Sequence, residues 1–193
     1  MKVLAINSSA RKDGNTAILI NRVFEELNKE GIETEMIQLA GQVIEPCKAC
    51  WACGGKRTCV HRKDNFREIF DKLKEADGII LGSPVYTANL SANMQAFLER
   101  ASVVTDMNRD AGLFRRKAGA AVTAARRGGA VNALDAINHF FLLQEMFVVG
   151  SCYWPVAYGQ MPGDVQNDAE GLSTMSVLGK NMAYLLKALK ERA

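Results

Sequence analysis

Four of the chain's five cysteines fall in one stretch, Cys47-Lys-Ala-Cys50-Trp-Ala-Cys53-Gly-Gly-Lys-Arg-Thr-Cys59, with the spacing C-x2-C-x2-C-x5-C. Thiolates are nucleophiles and soft metal ligands, and structural disulfides are rare in a reducing compartment, so clustered cysteines read as a metal or redox site. Cys152 stands apart, before Tyr153 and Trp154, and reads as a small buried hydrophobe. His61, beside the cysteines, is one of only two histidines and reads as exposed. A second chemical stretch lies near the N-terminus, where Asn7-Ser-Ser-Ala-Arg-Lys-Asp-Gly-Asn-Thr16 gathers hydroxyls, amides, a glycine and two cations.

That stretch is positioned by what flanks it. Val3 to Ile6 is an apolar run suited to a strand buried on both faces, and Ile20, Val23, Phe24 and Leu27 fall on one stripe of a helix. A strand feeding a helix through such a loop aims free N-terminal N–H groups at one point, and the helix dipole makes that point attractive to an anion. The candidate phosphate ligands are Ser9, Arg11, Asn15, Thr16 and Ala17. The chain holds neither G-x-G-x-x-G nor G-x-x-x-x-G-K-[ST], which argues against a dinucleotide-binding turn and a nucleoside-triphosphate hydrolase. A terminal monophosphate suits the loop; the alternative is a turn that caps its helix with Asn15 or Thr16 and binds nothing.

The remaining elements alternate. Ile32 to Leu39 reads as a strand with one polar face near a sheet edge, and Gly41 to Lys63, without sustained period, is a cysteine-bearing insertion. Phe66, Ile69, Phe70 and Leu73 mark a helix, with Asp64 or Asn65 available to cap it; Gly78 to Gly82 is a short buried strand. Ser91 opens a helix through Met94, Phe97, Leu98 and Ala101, and residues 105–116 read as an exposed connection. Lys117 to Thr123 and Met146 to Gly150 are the fourth and fifth strands, with a helix from about Val131 to Leu143 between them. Cys152 to Asn167 reads as irregular, and a last helix starts at about Asp168. Five strands alternating with helices specify a doubly wound α/β fold, a parallel sheet covered on both faces, in one domain spanning 1–193.

Composition narrows the partners. The formal net charge is +3, with no long run of like charge, so nucleic acid and membrane partners are not expected. The apolar run after Lys2 ends at Asn7, short of a signal-peptide core, and no later run spans a bilayer, so a cytoplasmic location is expected.

In such a sheet, ligands bind beyond the carboxyl ends of the strands, at the switch point of strand order. Three loops belong there. The first is the phosphate loop. The second, Ser83 to Asn89, offers Pro84, Val85 and Tyr86, a flat apolar wall whose backbone can still hydrogen-bond, with Thr87 and Asn89 as further candidates beside it. The third, Thr123 to Gly129, offers Thr123, Ala125 and Arg126, and Gly128 and Gly129 permit close approach. A ligand anionic at one end and broadly planar at the other meets these demands, and FMN is such a ligand.

Ser9-Ala-Arg-Lys-Asp-Gly-Asn-Thr16 resembles the phosphate loop of the flavodoxin-like NAD(P)H-dependent FMN reductases, and Ser83-Pro-Val-Tyr86 resembles their isoalloxazine loop. Many relatives carry proline where this chain has Ala10. The resemblance covers nearly the whole chain and implies a flavodoxin-like sheet of order 2-1-3-4-5. It also implies flavin contacts from the loop after the fourth strand, NAD(P)H as a possible substrate, and a homodimer or homotetramer. The cysteine spacing resembles the compact motif of the iron–sulfur flavoproteins, which implies a [4Fe–4S] cluster on Cys47, Cys50, Cys53 and Cys59. Zinc on the same thiolates and a metal-free loop stay open. The expected activity is FMN-dependent electron transfer, with NAD(P)H or a carrier such as ferredoxin as donor. A cluster-free flavin or quinone reductase and a flavin-binding redox sensor are the alternatives. No side chain is expected to be a catalytic acid or base.

Overall fold

The computed structural model describes residues 1–191, so the last two residues of the expected domain lie outside the described residues. Strands β1 (Lys2–Asn7), β2 (Glu33–Gln38), β3 (Gly78–Pro84), β4 (Ala118–Ala125) and β5 (Phe147–Val148) pair in the order β2-β1-β3-β4-β5, the flavodoxin-like order. Every pairing is parallel: Ala5, for example, lies between Met36 on β2 and Ile80 on β3. Helices α1 (Asn15–Lys29), α2 (Phe66–Glu75), α3 (Ala92–Asp106), α4 (Ala130–Leu143) and α5 (Ala169–Lys190) cover the sheet.

Side-chain alternation along the strands sends residues to two cores. Val3, Ala5, Ile80 and Ala120 face α1 and α5, packing on Leu19, Val23, Leu27, Leu178 and Met182. Leu4, Ile6, Ile79 and Leu81 face the other way, toward Phe66, Phe70, Met94, Phe97 and Phe141 on α2, α3 and α4. Each fully buried large side chain contributes about 1.5–3 kcal/mol relative to exposure. Both faces of β1 and β3 are therefore dry, which is why their sequences read as unbroken apolar runs.

Four expectations need correction. A sixth strand, β6 (Val156–Tyr158), lies in the region expected to be irregular and pairs with Thr123, Ala124 and Ala125 at the end of β4. The fifth position of the sheet is thus shared by β5 on Ala118–Gly119 and β6 on Thr123–Ala125. Val149 N–H still donates to the Gly119 carbonyl at 2.8 Å and the Pro155 carbonyl accepts from Thr123 N–H at 3.0 Å, and between them the chain bulges away through residues 150–154, leaving a cavity of about 460 Å³ lined by Ala121, Leu134, Trp154 and Pro155 among others. Pro155 has no N–H to extend a ladder.

Residues 105–116 are not simply exposed: α3 runs to Asp106, and Phe114, 1% exposed, packs edge-on against Phe70 at 5.4 Å. Cys152 is exposed where a buried thiol was expected, because the bulge carries it off the sheet. His61 is half-buried beside Cys50, not exposed. The stretch from Ala40 to Asn65 contains no helix or strand, and Ile44, Cys53 and Cys59 pin it to the core over α2 and α3.

Candidate functional site

The loop after β1 is held from within. The N–H of Ser9 donates to Asn7 Oδ1 at 3.0 Å, that of Arg11 donates to Ser9 Oγ at 3.1 Å, and Gln38 Nε2 donates to the Ser9 carbonyl at 2.8 Å. Gly14, not Asn15 or Thr16, is the N-cap of α1, and no side chain caps it. The first rung of α1 runs from Ile18 N–H to the Gly14 carbonyl at 3.2 Å, so the N–H groups of Asn15, Thr16 and Ala17 precede the ladder. Thr16 is buried, and its hydroxyl has no hydrogen-bond partner. A helix start with free donors and an unpaired hydroxyl is an anion seat.

A cleft of about 230 Å³ opens there. Ser9, Arg11, Asn15 and Thr16 line one end; Pro84, Val85 and Tyr86 form a wall, and Arg126 and Ala124 come from the end of β4. Of the residues singled out from sequence, these line the cleft, with Ala124 in the place foreseen for Ala125. Ala125 instead joins a small core with Ala130 and Val156, and its carbonyl accepts from Gly159 N–H at 2.9 Å. Thr123 lies in β4 itself, fully buried, its hydroxyl without a partner. Ala17 is buried in the first turn of α1, and Thr87, Asn89, Gly128 and Gly129 stand outside the lining.

Gly129 has a different use from the one foreseen. Its φ is +93°, and a Cβ there would sit 2.5 Å from Ala88 Cα, so the glycine lets two loops touch. The segment it touches is a two-residue hairpin: Tyr86 and Asn89 exchange backbone bonds of 2.8 and 3.1 Å, and Thr87 and Ala88 take φ of 50° and 60°. Such a turn requires left-handed residues, and a β-branched threonine there stores strain of about 1–2 kcal/mol. Beneath it, buried hydroxyls stitch the strand ends together: Ser91 Oγ donates to Ser8 Oγ at 2.8 Å, and Ser91 N–H donates to Ser83 Oγ at 2.9 Å.

Sequence reasoning missed Gly159 and Gln160, which complete the lining of the cleft. The Gln160 carbonyl accepts from Arg11 Nη1 at 3.2 Å, and Asn15 Oδ1 accepts from Gly163 N–H at 2.8 Å, so the segment after β6 is tied to the phosphate loop. A side chain at Gly159 would meet Asn15 Nδ2 at 2.9 Å. The Tyr-Gly-Gln-Met-Pro-Gly composition was the available signal, but without a strand before it nothing placed it near residue 11.

The four clustered cysteines line a second, mostly apolar cavity with Val60, Val103 and Val104. Cys53 and Cys59 are buried, Cys47 is half-buried and Cys50 is exposed, with His61 Nε2 at 3.5 Å from its sulfur. Ala49, Trp51 and Arg57, all with φ near 50°, coil the loop together with Gly55. Three non-glycine residues held in that region are the kind of strain that clusters at functional sites. Asn108 fastens the loop, accepting from Arg57 N–H at 3.2 Å and donating to the Cys53 carbonyl at 3.0 Å. Burial, and then the neighbouring sulfurs, push the Cys53 thiol above its ordinary range. Among the described residues, no three His, Cys, Asp or Glu side chains converge to hold a single metal ion.

Comparison with known proteins decides the family. Residues 1–160 match the family model of the NADPH-dependent FMN reductases. An iron–sulfur flavoprotein of Methanocaldococcus jannaschii is 39% identical over 99% of this chain and 100% of its own length. The chain belongs to the NADPH-dependent FMN reductases, in their iron–sulfur flavoprotein branch. Among solved structures, RosB with a bound 8-demethyl-8-formylriboflavin-5'-phosphate intermediate superposes with a TM-score of 0.76 at 20% identity, over 99% of this chain and 81% of RosB. A WrbA-like flavodoxin protein of Agrobacterium tumefaciens gives 0.63 at 18% identity, over 97% of both chains. Those likenesses are of fold. The protein is an FMN-dependent oxidoreductase, and the cleft suits that cofactor, with unpaired donors at one end and a proline–valine–tyrosine wall at the other. Among the described residues no helix is long and apolar enough to cross a membrane.

Proposed function

We propose that this oxidoreductase couples FMN to a [4Fe–4S] cluster held by Cys47, Cys50, Cys53 and Cys59, moving electrons between a one-electron carrier such as ferredoxin and a two-electron acceptor. The observation that carries the reading is the cysteine cavity. Four thiols from one coiled loop surround it, valines wall it, and a buried guanidinium, Arg100, donates to the Cys59 sulfur at 3.3 Å. Thiolates crowd together at a cost unless a metal shares their charge, and a mostly apolar pocket with a cationic donor suits that charge. The iron–sulfur name of the Methanocaldococcus relative supports the same assignment.

When bound, the flavin handles electrons singly or in pairs and the cluster handles them singly. The protein's own residues bind, orient and shield. Ser9, Arg11, Thr16 and the N–H groups of α1 would hold the phosphate, Pro84, Val85 and Tyr86 would face the ring, and Arg126 would add a cation to the cleft lining. No side chain in either cavity is needed as an acid or base. NAD(P)H is the alternative donor, the working form is a homodimer or homotetramer, and the location is cytoplasmic.

The test is chemical analysis of protein purified without oxygen. FMN, iron and acid-labile sulfide are expected together, and Cys50→Ser should lose iron and the broad visible absorption while keeping FMN. Full flavin with neither iron nor sulfide, even after reconstitution, would instead make this a cluster-free flavin reductase.

A further inference from the structure

Arg100 is 3% exposed in the middle of α3, and nothing in flavin binding uses it. Its side chain is fixed on three sides. Nη1 donates to the Asp64 carboxylate and, at 3.1 Å, to the Glu45 carbonyl, while the Phe66 ring centroid lies 4.1 Å from Cζ. Asp64 is held in turn, accepting from the N–H of Glu45 at 2.8 Å and of Phe66 at 3.4 Å. The remaining fork of the guanidinium points at sulfur: Nη2 donates to Cys59 Sγ at 3.3 Å.

A neutral thiol is a weak acceptor and gives little in return for so constrained a donor. A metal-bound thiolate carries the negative charge that a guanidinium N–H recognises, with roughly twice the strength of a neutral contact. Asp64 already balances the charge of Arg100, so the ion pair is complete without the sulfur. The bond to Cys59 is therefore an addition to the clamp, aimed at whatever charge develops there.

We propose that Arg100 is a positioning and tuning residue for the cluster, donating to the Cys59 sulfur and so favouring the reduced form. The inference rests on the cluster reading above. One-electron reduction adds one negative charge that spreads onto the thiolate sulfurs, which strengthens the bond to Arg100 and raises the midpoint potential. A purely structural clamp would alter stability and leave the potential where it was.

The experiment is an anaerobic redox titration of the holoprotein followed by electron paramagnetic resonance, with the flavin couple measured in the same sample. The variants are Arg100→Lys, which keeps charge without the fork, and the double change Arg100→Gln with Asp64→Asn, which leaves no buried charge unpaired. In the double variant the ratio of reduced to oxidised cluster at a fixed poise should fall about tenfold, equivalent to about 59 mV for a one-electron couple, with the flavin couple unmoved. Arg100→Lys should shift in the same direction by less.

An unshifted midpoint in variants that hold FMN, iron and sulfide overturns the role of Arg100 and leaves the cluster reading intact. Wild-type protein without iron or sulfide defeats the cluster reading itself. Should the variants not fold, reduced wild-type protein labelled with nitrogen-15 only in arginine decides the matter: a hyperfine coupling from the label is expected, and its absence overturns the proposal.

Discussion

Thr16 is the residue in the cleft whose conformation makes least sense without a ligand. A buried hydroxyl with no partner forfeits about 1–3 kcal/mol of hydration, and the neighbouring N–H groups of α1 are aimed the same way. Thr16→Val keeps the shape and removes the orphan. The apoprotein should be as stable as wild type or more so in urea, while FMN should bind about tenfold or more weakly, the loss expected for a hydrogen bond to a charged group. Flavin fluorescence titration reads the second quantity; unchanged affinity there would remove Thr16 from the phosphate seat. Ser9, Arg11, Asn15 and Thr16 were legible as a group because the hydrophobic period switches from strand to helix across them. Gln160 was not, since its contact with Arg11 spans 149 positions and depends on a strand three residues long. The Cys59–Arg100 bond was hidden for a similar reason, since it spans 41 positions and joins an irregular loop to the middle of α3.

Between elements, contacts that hold the loops in place are few and specific. Gly129 joins the start of α4 to the hairpin after β3, and Gly129→Ala would place a methyl against Ala88 in a backbone region costly for any side chain. The hairpin carries Tyr86, so the substitution should weaken FMN binding as well as stability, by about 1–3 kcal/mol in the folded state, the range typical of strain at a special backbone position. Calorimetry with and without FMN separates the two effects. At the other edge of the sheet, Glu35 on β2 pairs with Lys2 of β1 at 2.6 Å and Lys72 of α2 at 3.0 Å. The hydrogen bond from Lys2, and then that from Lys72, holds its carboxyl below the ordinary 4.5. Because the folded value is depressed, the stabilisation is fully present above pH 4.5 and is lost as pH falls through the folded value. Glu35→Gln should therefore cost about 0.5–1 kcal/mol at pH 7, a screened surface value, and nothing near pH 2. A difference that persists at the lower pH would assign the effect to packing. The alternation of strands and helices and the two-sided core were readable from apolar runs broken by glycine and polar loops, whereas the strand order came only from the family resemblance. The divided fifth position was not, because Val156 to Tyr158 is too short to show a period and follows a proline.

Seen whole, the protein leaves much apolar surface at one rim. Val148, Tyr153 and Trp154, each between 38% and 53% exposed, border the cavity between β5 and β6, and Leu142 and Leu143 at the end of α4 are 63% and 55% exposed. Surface of this kind marks association sites more often than free solvent faces. Sedimentation of the FMN-loaded protein at micromolar concentration should give a dimer or tetramer, and a single monomeric species would contradict that expectation.

The divided fifth position also bears on how such association can proceed. An open sheet has two rims whose unpaired amides can recruit a foreign strand, the first step toward aggregates. Here one rim is β2, bristling with Glu33 and Glu35, and the other is broken into pieces of two and three residues with the bulge of residues 150–154 between them. Neither offers a long, flat template. Association at the aromatic rim would therefore run through side chains, because the broken edge beside it offers no ladder for a second copy to extend.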